Sequence, residues 1–332
     1  MIGIEETSIY QPEQIVGANE LAQQTGIPEQ IIIEKFGINE KRVASSDMHA
    51  SDLAVAAAKK ILEKVNPEEI DAIIYFGSPF KDYQVWTASS KIQFELNTTN
   101  AYSFEMMNVS SCFPIAVKVA RDMLYSDESL TNILLVAGCK ESMIVDYENP
   151  RSRFMFNFAD GGAAALVTKK ATRSEILSSS IITDGSFYKD VLIPGGGSVN
   201  PFNMEVVSKK QQFIDVPDPK NMKERLDPIS IPNFIKVIDL ALKKSGKELS
   251  DLNILLPLHT KRSMFEELLD KVGLSEEQAV YLNEHGHMSA LDPCYGLHLA
   301  QEKGLLKKDD IAVIVSAGTG YTWAATAIRW VG

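Results

Sequence analysis

The sequence predicts an α/β protein assembled from two similarly built halves, and three observations carry that expectation. Short, nearly continuous apolar runs at 72–76, 133–137, 252–256 and 311–316 alternate with segments whose apolar residues recur at helical spacing. The order of these elements in the first half returns in the second. The chain, at 332 residues with 45% hydrophobic content, is long enough to bury a large core in about two packed units. Strands alternating with helices in a weak internal repeat imply two packed α/β halves rather than two unrelated domains.

Taken in order, Met1-Ile2-Gly3-Ile4-Glu5-Glu6 reads as a first strand, with acidic residues where a signal peptide needs basic ones, so a cytoplasmic protein is expected. Residues 53–65 read as an amphipathic helix, Asn66-Pro67-Glu68-Glu69-Ile70-Asp71 as a turn, and 72–76 as a buried strand. The second half repeats this with a helix over 234–244, the turn Lys247-Glu248-Leu249-Ser250-Asp251, and a strand over 252–256. Next, a helix from Pro114 and a strand at 133–137 parallel a helix from Pro293 and a strand at 311–316. The charged, less periodic stretch 169–174 is the expected boundary, giving halves 1–168 and 169–332. Residues 199–223 read as a long polar excursion, and Gly195-Gly196-Gly197, without a helix to hold a phosphate, as a flexible loop. No apolar run approaches the roughly 20 residues needed to span a bilayer.

The chemistry concentrates on Cys112. It lies in Asn108-Val109-Ser110-Ser111-Cys112-Phe113-Pro114, a polar turn leading into a helix in which Ile115, Ala116, Val119 and Ala120 keep helical spacing. A thiol at a helix N-terminus meets unpaired N–H groups and the positive end of the helix dipole, which favour the thiolate. The competing reading is a buried structural cysteine. Two histidine segments weigh against that: Leu256-Pro257-Leu258-His259, ending a buried strand, and His285-Gly286-His287-Met288-Ser289-Ala290. A cysteine with distant histidines is the pattern of acyl transfer, in which imidazoles manage the thiol proton and donate to a thioester carbonyl. Under the internal repeat, Cys112 and the His287 region stand at equivalent places ahead of a helix, and a cleft between the halves would gather Cys112, His259 and His287.

Three cysteines do not make a disulfide framework, and no spacing suggests zinc, so free thiols and no metal are expected. A formal net charge of -11 argues against general nucleic-acid binding. An anionic carrier or coenzyme must then find local basic sites, and Lys261-Arg262, just after His259, are the best placed.

Six segments in order then resemble one known family. They are Gly37-Ile38-Asn39-Glu40-Lys41-Arg42, Cys112 ahead of its helix, Phe158-Ala159-Asp160-Gly161-Gly162-Ala163-Ala164, the histidine segments at His259 and His285–Ala290, and Gly318-Thr319-Gly320-Tyr321-Thr322-Trp323. Together they look like β-ketoacyl-acyl-carrier-protein synthase III and its relatives in the thiolase superfamily. The resemblance covers almost the whole chain. It implies a thiolase-like fold layered α-β-α-β-α, and a homodimer pairing around 85–92. It also implies acylation of Cys112 by a thioester of coenzyme A or phosphopantetheine, followed by decarboxylative condensation with a malonyl thioester, with an acyl carrier protein as partner. Cys112 and Gly320 would share the oxyanion hole, and Asp160-Gly161-Gly162 would be structural.

The chain also departs from that pattern. His287 stands where the family places Asn, so the catalytic set becomes Cys112, His259 and His287; His285 is read as structural, and His49 and His298 lack motif support. Ile31 and Lys35 stand where the family holds adenine with Trp and Arg. Val85 falls near the aromatic that limits the acyl pocket across the dimer, which leaves more room unless Trp86 fills it. Two alternatives therefore stay open: acyl transfer to an oxygen or nitrogen nucleophile without decarboxylation, and a non-catalytic partner subunit of a ketosynthase heterodimer.

Overall fold

The computed structural model describes residues 1–332. The first half contributes β1 (Gly3–Tyr10), the small pair β2 (Gln14–Gly17) and β3 (Glu40–Val43), then β4 (Ala72–Tyr75), β5 (Tyr102–Glu105), β6 (Asn132–Lys140) and β7 (Asp160–Thr168). The second contributes β8 (Ser174–Thr183), β9 (Leu252–Pro257), β10 (Ile311–Gly318) and β11 (Thr322–Trp330). The larger helices are α1 (Ala18–Thr25), α2 (Ala50–Leu62), α3 (Ala88–Glu95), α4 (Cys112–Ser126), α5 (Pro219–Lys244), α6 (Arg262–Val272) and α7 (Asp292–Glu302). Two mixed sheets result, ordered β1-β7-β6-β4-β5 and β8-β11-β10-β9. The charged stretch between Thr168 and Ser174 is the crossing from one to the other.

Helices separate and cover the sheets. α4 and α7 lie between them, α2 and α3 on the outer face of the first, and α5 and α6 on the outer face of the second. This is the expected α-β-α-β-α layering. Strands β6 and β10 are buried along nearly their whole length, which explains why they read as continuous apolar runs without alternation. Glycine permits one especially close approach: a Cβ on Gly138 would lie 1.7 Å from Ala50 O, and one on Gly162 would lie 1.9 Å from Leu53 O. α2 therefore rests its backbone directly on β6 and β7.

Two helices start before the residues that the sequence reading gave them. α2 starts earlier than residue 53 because His49 and Asp52 close a capping box ahead of Ala50. α5 runs back to Pro219, which occupies the first helical turn beneath an Asp218 cap, so the polar excursion ends in helix. Before Phe234 that helix buries only Met222. Leu226, Ile229 and Ile231 pack only partly buried against the second core, and Pro228 and Pro232, ordinarily helix-breaking, mask the helix in the sequence. Residues 195–197 form a loop without a helix. No helix is long and apolar enough to cross a membrane.

Candidate active site

Cys112 is the first residue of α4 and is 0% exposed. The 3-10 turn Val109–Ser111 precedes it, opened by Val109 at φ 48°. A β-branched residue rarely adopts that conformation, and the turn is held in it from several sides. Ser111 Oγ donates to Asn108 O at 2.9 Å, and Ser316 Oγ from β10 donates to Ser110 O at 2.5 Å. Gly318 also presses on the turn; a Cβ there would lie 2.6 Å from Asn108 O and 2.9 Å from Ser111 N. The end of β10 thus grips the nucleophile turn. Cys112 Sγ donates to Met106 O at 3.6 Å. Burial pushes its thiol up to about 11, opposed by the hydrogen bond at Asn108. Burial thus favours the thiol as the resting form, against the expectation of a thiolate.

His259 lies just past β9 and is buried. Its backbone N–H donates to Asp292 Oδ2 at 2.8 Å, and its ring packs on Tyr281 with centroids 4.9 Å apart. Nε2 reaches only Phe36 O at 3.4 Å, and Nδ1 is buried without a partner. Desolvation pulls its pKa down to about 4 against the attraction of Asp292, leaving a neutral imidazole. His287 is pinned by its backbone to the segment after Met155: its N–H donates to Asn157 O at 2.9 Å and its O accepts from Ala159 N–H at 2.9 Å. Its ring spans two partners, Nδ1 at 2.5 Å from Asp292 Oδ2 and Nε2 at 3.2 Å from Ser110 Oγ. Desolvation lowers its pKa, but Asp292 overcomes this and the net shift is upward.

Asp292 is the residue that sequence reasoning missed. It opens α7 at 0% exposure and holds His259 and His287 together. The internal repeat could have found it. Ser289, at φ 55°, opens the turn Ser289–Leu291 ahead of Asp292, as Val109 opens the turn ahead of Cys112. The partner of Cys112 in the repeat is therefore Asp292, five residues beyond the expected His287. Lys41 was read only as part of a motif. It is fully buried, and its amine donates to Phe158 O and Tyr147 Oη at 2.6 Å each, bracing the strand segment against which His287 rests. Burial pulls its pKa down to about 7, against the attraction of Asp160.

Gly320 follows β10 at φ 130° with open space where a side chain would be. Lys261 is exposed at the start of α6, whereas Arg262 is engaged by Glu266 and Glu276, which narrows the expected basic pair to one free cation. Val85 is fully exposed and Trp86 packs edge-on against Tyr83, so within one chain neither meets the thiol. Ile31 and Lys35 are exposed on the turn ahead of Gly37. His285 packs against Tyr295, His298 pairs with Glu302, and His49 caps α2. Asp160 accepts from Ala44 N–H, Ser142 N–H and Ser142 Oγ, a structural use. Cys139 and Cys294 are buried and free.

Comparison with known proteins accords with this arrangement. The family described as 3-oxoacyl-[acyl-carrier-protein (ACP)] synthase III matches residues 104–185, and its C-terminal counterpart matches residues 242–330. The chain is 30% identical over 327 residues to β-ketoacyl-[acyl-carrier-protein] synthase III of Syntrophomonas wolfei, covering 96% of this chain and 94% of that protein. It is 29% identical over 336 residues to the enzyme of that name from Caldanaerobacter subterraneus, covering 99% and 97%. Its fold is similar to the crystal structure of 3-oxoacyl-[acyl-carrier-protein] synthase III from Aquifex aeolicus, with a TM-score of 0.85 at 23% identity, over 99% of this chain and 100% of that one. The chain belongs to the 3-oxoacyl-[acyl-carrier-protein] synthase III family, acyltransferases of the thiolase-like fold that condense acyl thioesters.

Proposed function

We propose that Cys112 accepts an acyl group from a thioester of coenzyme A or of a carrier-bound phosphopantetheine, and that His259 and His287 then hold a malonyl thioester for decarboxylation. The observation that carries this is the single buried carboxylate, Asp292, that fixes both histidines while Ser110 ties His287 to the nucleophile turn. Neutral His259 is the group suited to take the thiol proton as the donor carbonyl is attacked. The N–H groups of Cys112 and Gly320 would stabilise the tetrahedral oxyanion. The thiol is released and the acyl group stays on Sγ. Loss of CO2 from the malonyl group then leaves an enolate whose carbon attacks the acyl carbonyl; the C–S bond breaks and the thiolate regains a proton.

Lys261 is the cation placed to meet the donor's phosphate, and exposed Ile31 offers no aromatic face for an adenine. A homodimer would bring Val85 and Trp86 of one protomer toward the acyl pocket of its partner. An acyl carrier protein is the expected partner, and the cytoplasm, where such carriers work, the expected location. No resident cofactor is required by these steps. Intact mass after incubation with a panel of acyl thioesters, with and without a malonyl donor, tests the reading. The acyl mass should map to Cys112 and disappear on malonyl addition; acyl mass on Cys139 or Cys294 would sink it.

One observation favours a second reading. Ser110 Oγ, His287 and Asp292 form a hydroxyl–imidazole–carboxylate chain, the arrangement by which a histidine takes a proton from an alcohol. In that case an oxygen or nitrogen nucleophile would take the acyl group without decarboxylation. Malonyl turnover absent with every donor would select it.

A further inference from the structure

His287 replaces an uncharged amide, yet its surroundings are built for charge. Nδ1 meets Asp292 Oδ2 at 2.5 Å, and that carboxylate is wholly buried. Asp292 cannot swing away, because it also accepts the backbone N–H of His259 at 2.8 Å and of Met288 at 2.7 Å. On the other side of the ring, Nε2 meets a hydroxyl, Ser110 Oγ, at 3.2 Å, with Ser289 Oγ a further 3.3 Å on. A buried carboxylate bonded to an imidazole favours the imidazolium, because in a low dielectric an uncompensated charge on either partner costs far more than the pair. The imidazolium carries protons on both ring nitrogens, so Nε2 becomes a donor.

We propose that Asp292 is a positioning residue that keeps His287 protonated, so that His287 holds the malonyl carbonyl through Nε2 as a charged donor in place of the family's neutral amide. The inference rests on the condensing reading above. It divides labour between the two histidines. Asp292 touches the ring of one and only the backbone of the other, so one imidazole is charged while its neighbour stays neutral and can move a proton. Environments that push two titrations apart in this way assign acid and base.

The groups facing His287 come from several elements. Asp292 approaches from α7, and His259, whose backbone the same carboxylate holds, from the segment after β9. Glu141 approaches from the turn after β6, where it accepts from Ser78 Oγ at 2.8 Å. Lys41 and Asp160 stand behind Phe158, whose ring lies 5.2 Å from that of His287. Burial pushes Glu141 toward its neutral form, and Lys41 is held near neutrality as described. Asp292 is thus the charge in direct contact.

The test is the pH dependence of malonyl-thioester decarboxylation by the preformed acyl-enzyme, with the Cys112 acyl mass in the same samples reporting folded protein. Wild-type decarboxylation should fall as pH rises through the His287 titration. Asp292→Asn should move that limb down by roughly one to three pH units and lower the rate at pH 8 at least about tenfold. His287→Asn should abolish the limb, and adding Asp292→Asn to it should then shift nothing. If Asp292→Asn does not fold, Asp292→Ser, whose hydroxyl still accepts a backbone N–H, takes its place. A limb unmoved in the Asp292 variant, one that survives in His287→Asn, or one that rises with pH overturns the inference; a rising limb makes His287 a base. Decarboxylation left intact by His287→Ala would likewise overturn the inference, whereas malonyl turnover absent from the wild type with every donor would overturn the condensing reading itself, which separates the two failures.

Discussion

At the scale of single residues, burial sets the chemistry. Cys112 sits at a helix start, but its thiol is pushed up to about 11, so the free enzyme should resist alkylation near neutrality. The iodoacetamide rate at Cys112 should climb steadily toward pH 11, and a plateau near pH 7 would show a thiolate that burial does not permit. His259 has an opposite consequence for stability. Folded, it stays unprotonated down to about 4, whereas the unfolded chain binds that proton near 6.5. The unfolded state therefore binds more protons in this window, and stability falls as pH drops from 6.5 to 4. His259→Gln should remove up to about 3 kcal/mol of that acid loss in denaturant titrations. His287, raised by Asp292, works in the other sense: its contribution is complete below 6.5 and is lost as pH rises past its folded value. Lys261→Glu should raise the donor's KM and flatten its salt dependence, because a lone cation steers an anion only while salt leaves it unscreened. Arg262→Glu, which breaks ion pairs inside α6 and its flank, should change KM less.

At the scale of elements, the nucleophile turn and the end of β10 act as one piece. Gly318→Ala would drive a methyl into Asn108 O and Ser111 N. It should cost about 1–3 kcal/mol in stability and slow Cys112 acylation at least about tenfold, read by rapid-quench mass spectrometry; acylation at the wild-type rate would mean that the turn does not depend on β10. The sequence made Cys112 legible because proline, small polar residues and a helical period all converge within a few positions. The repeat could place Asp292 opposite Cys112 but not give its role, which comes from His259, 33 residues away, and from a ring orientation that no spacing encodes. Similarly, the first half of α5 was missed because two prolines interrupt a short stripe of apolar residues that is only partly buried. β4, β6, β9 and β10 were read from their apolar runs, whereas β7 and β11, equally buried but rich in Ala, Gly and Thr, carry no run of large apolar residues.

For the whole molecule, the repeat of elements disclosed two α/β halves, while the layering came from the resemblance. β5 ends the first sheet with one edge unpaired, and Tyr83, Val85, Phe94, Tyr102 and Met107 stand exposed near it in sequence. Such an edge is normally covered, and apolar groups of this size point to a second copy. Light scattering should give twice the chain mass at micromolar concentration, whereas a monomer would remove the basis for assigning Val85 to a shared pocket. With a net charge of -11 on each chain, the two copies repel, so the dimer should tighten as salt rises. A salt-weakened dimer would mean that opposed charges, rather than apolar contact, hold it.

The buried amine of Lys41 has a bearing on chemical wear. A protein that works among acyl thioesters is exposed to slow, uncatalysed acylation of its lysines, and the amine with the lowest pKa is the most reactive where reagent can reach it. Lys41, at about 7, holds that value only because it is 0% exposed, bonded on several sides and out of reach of reagent; once opened it is an ordinary lysine. Folding alone protects it. Acyl-lysine at position 41 should therefore be absent from native protein while exposed lysines such as Lys220 accumulate it, and should appear in step with partial unfolding, so that peptide mapping at that position records how often a molecule has opened during its lifetime.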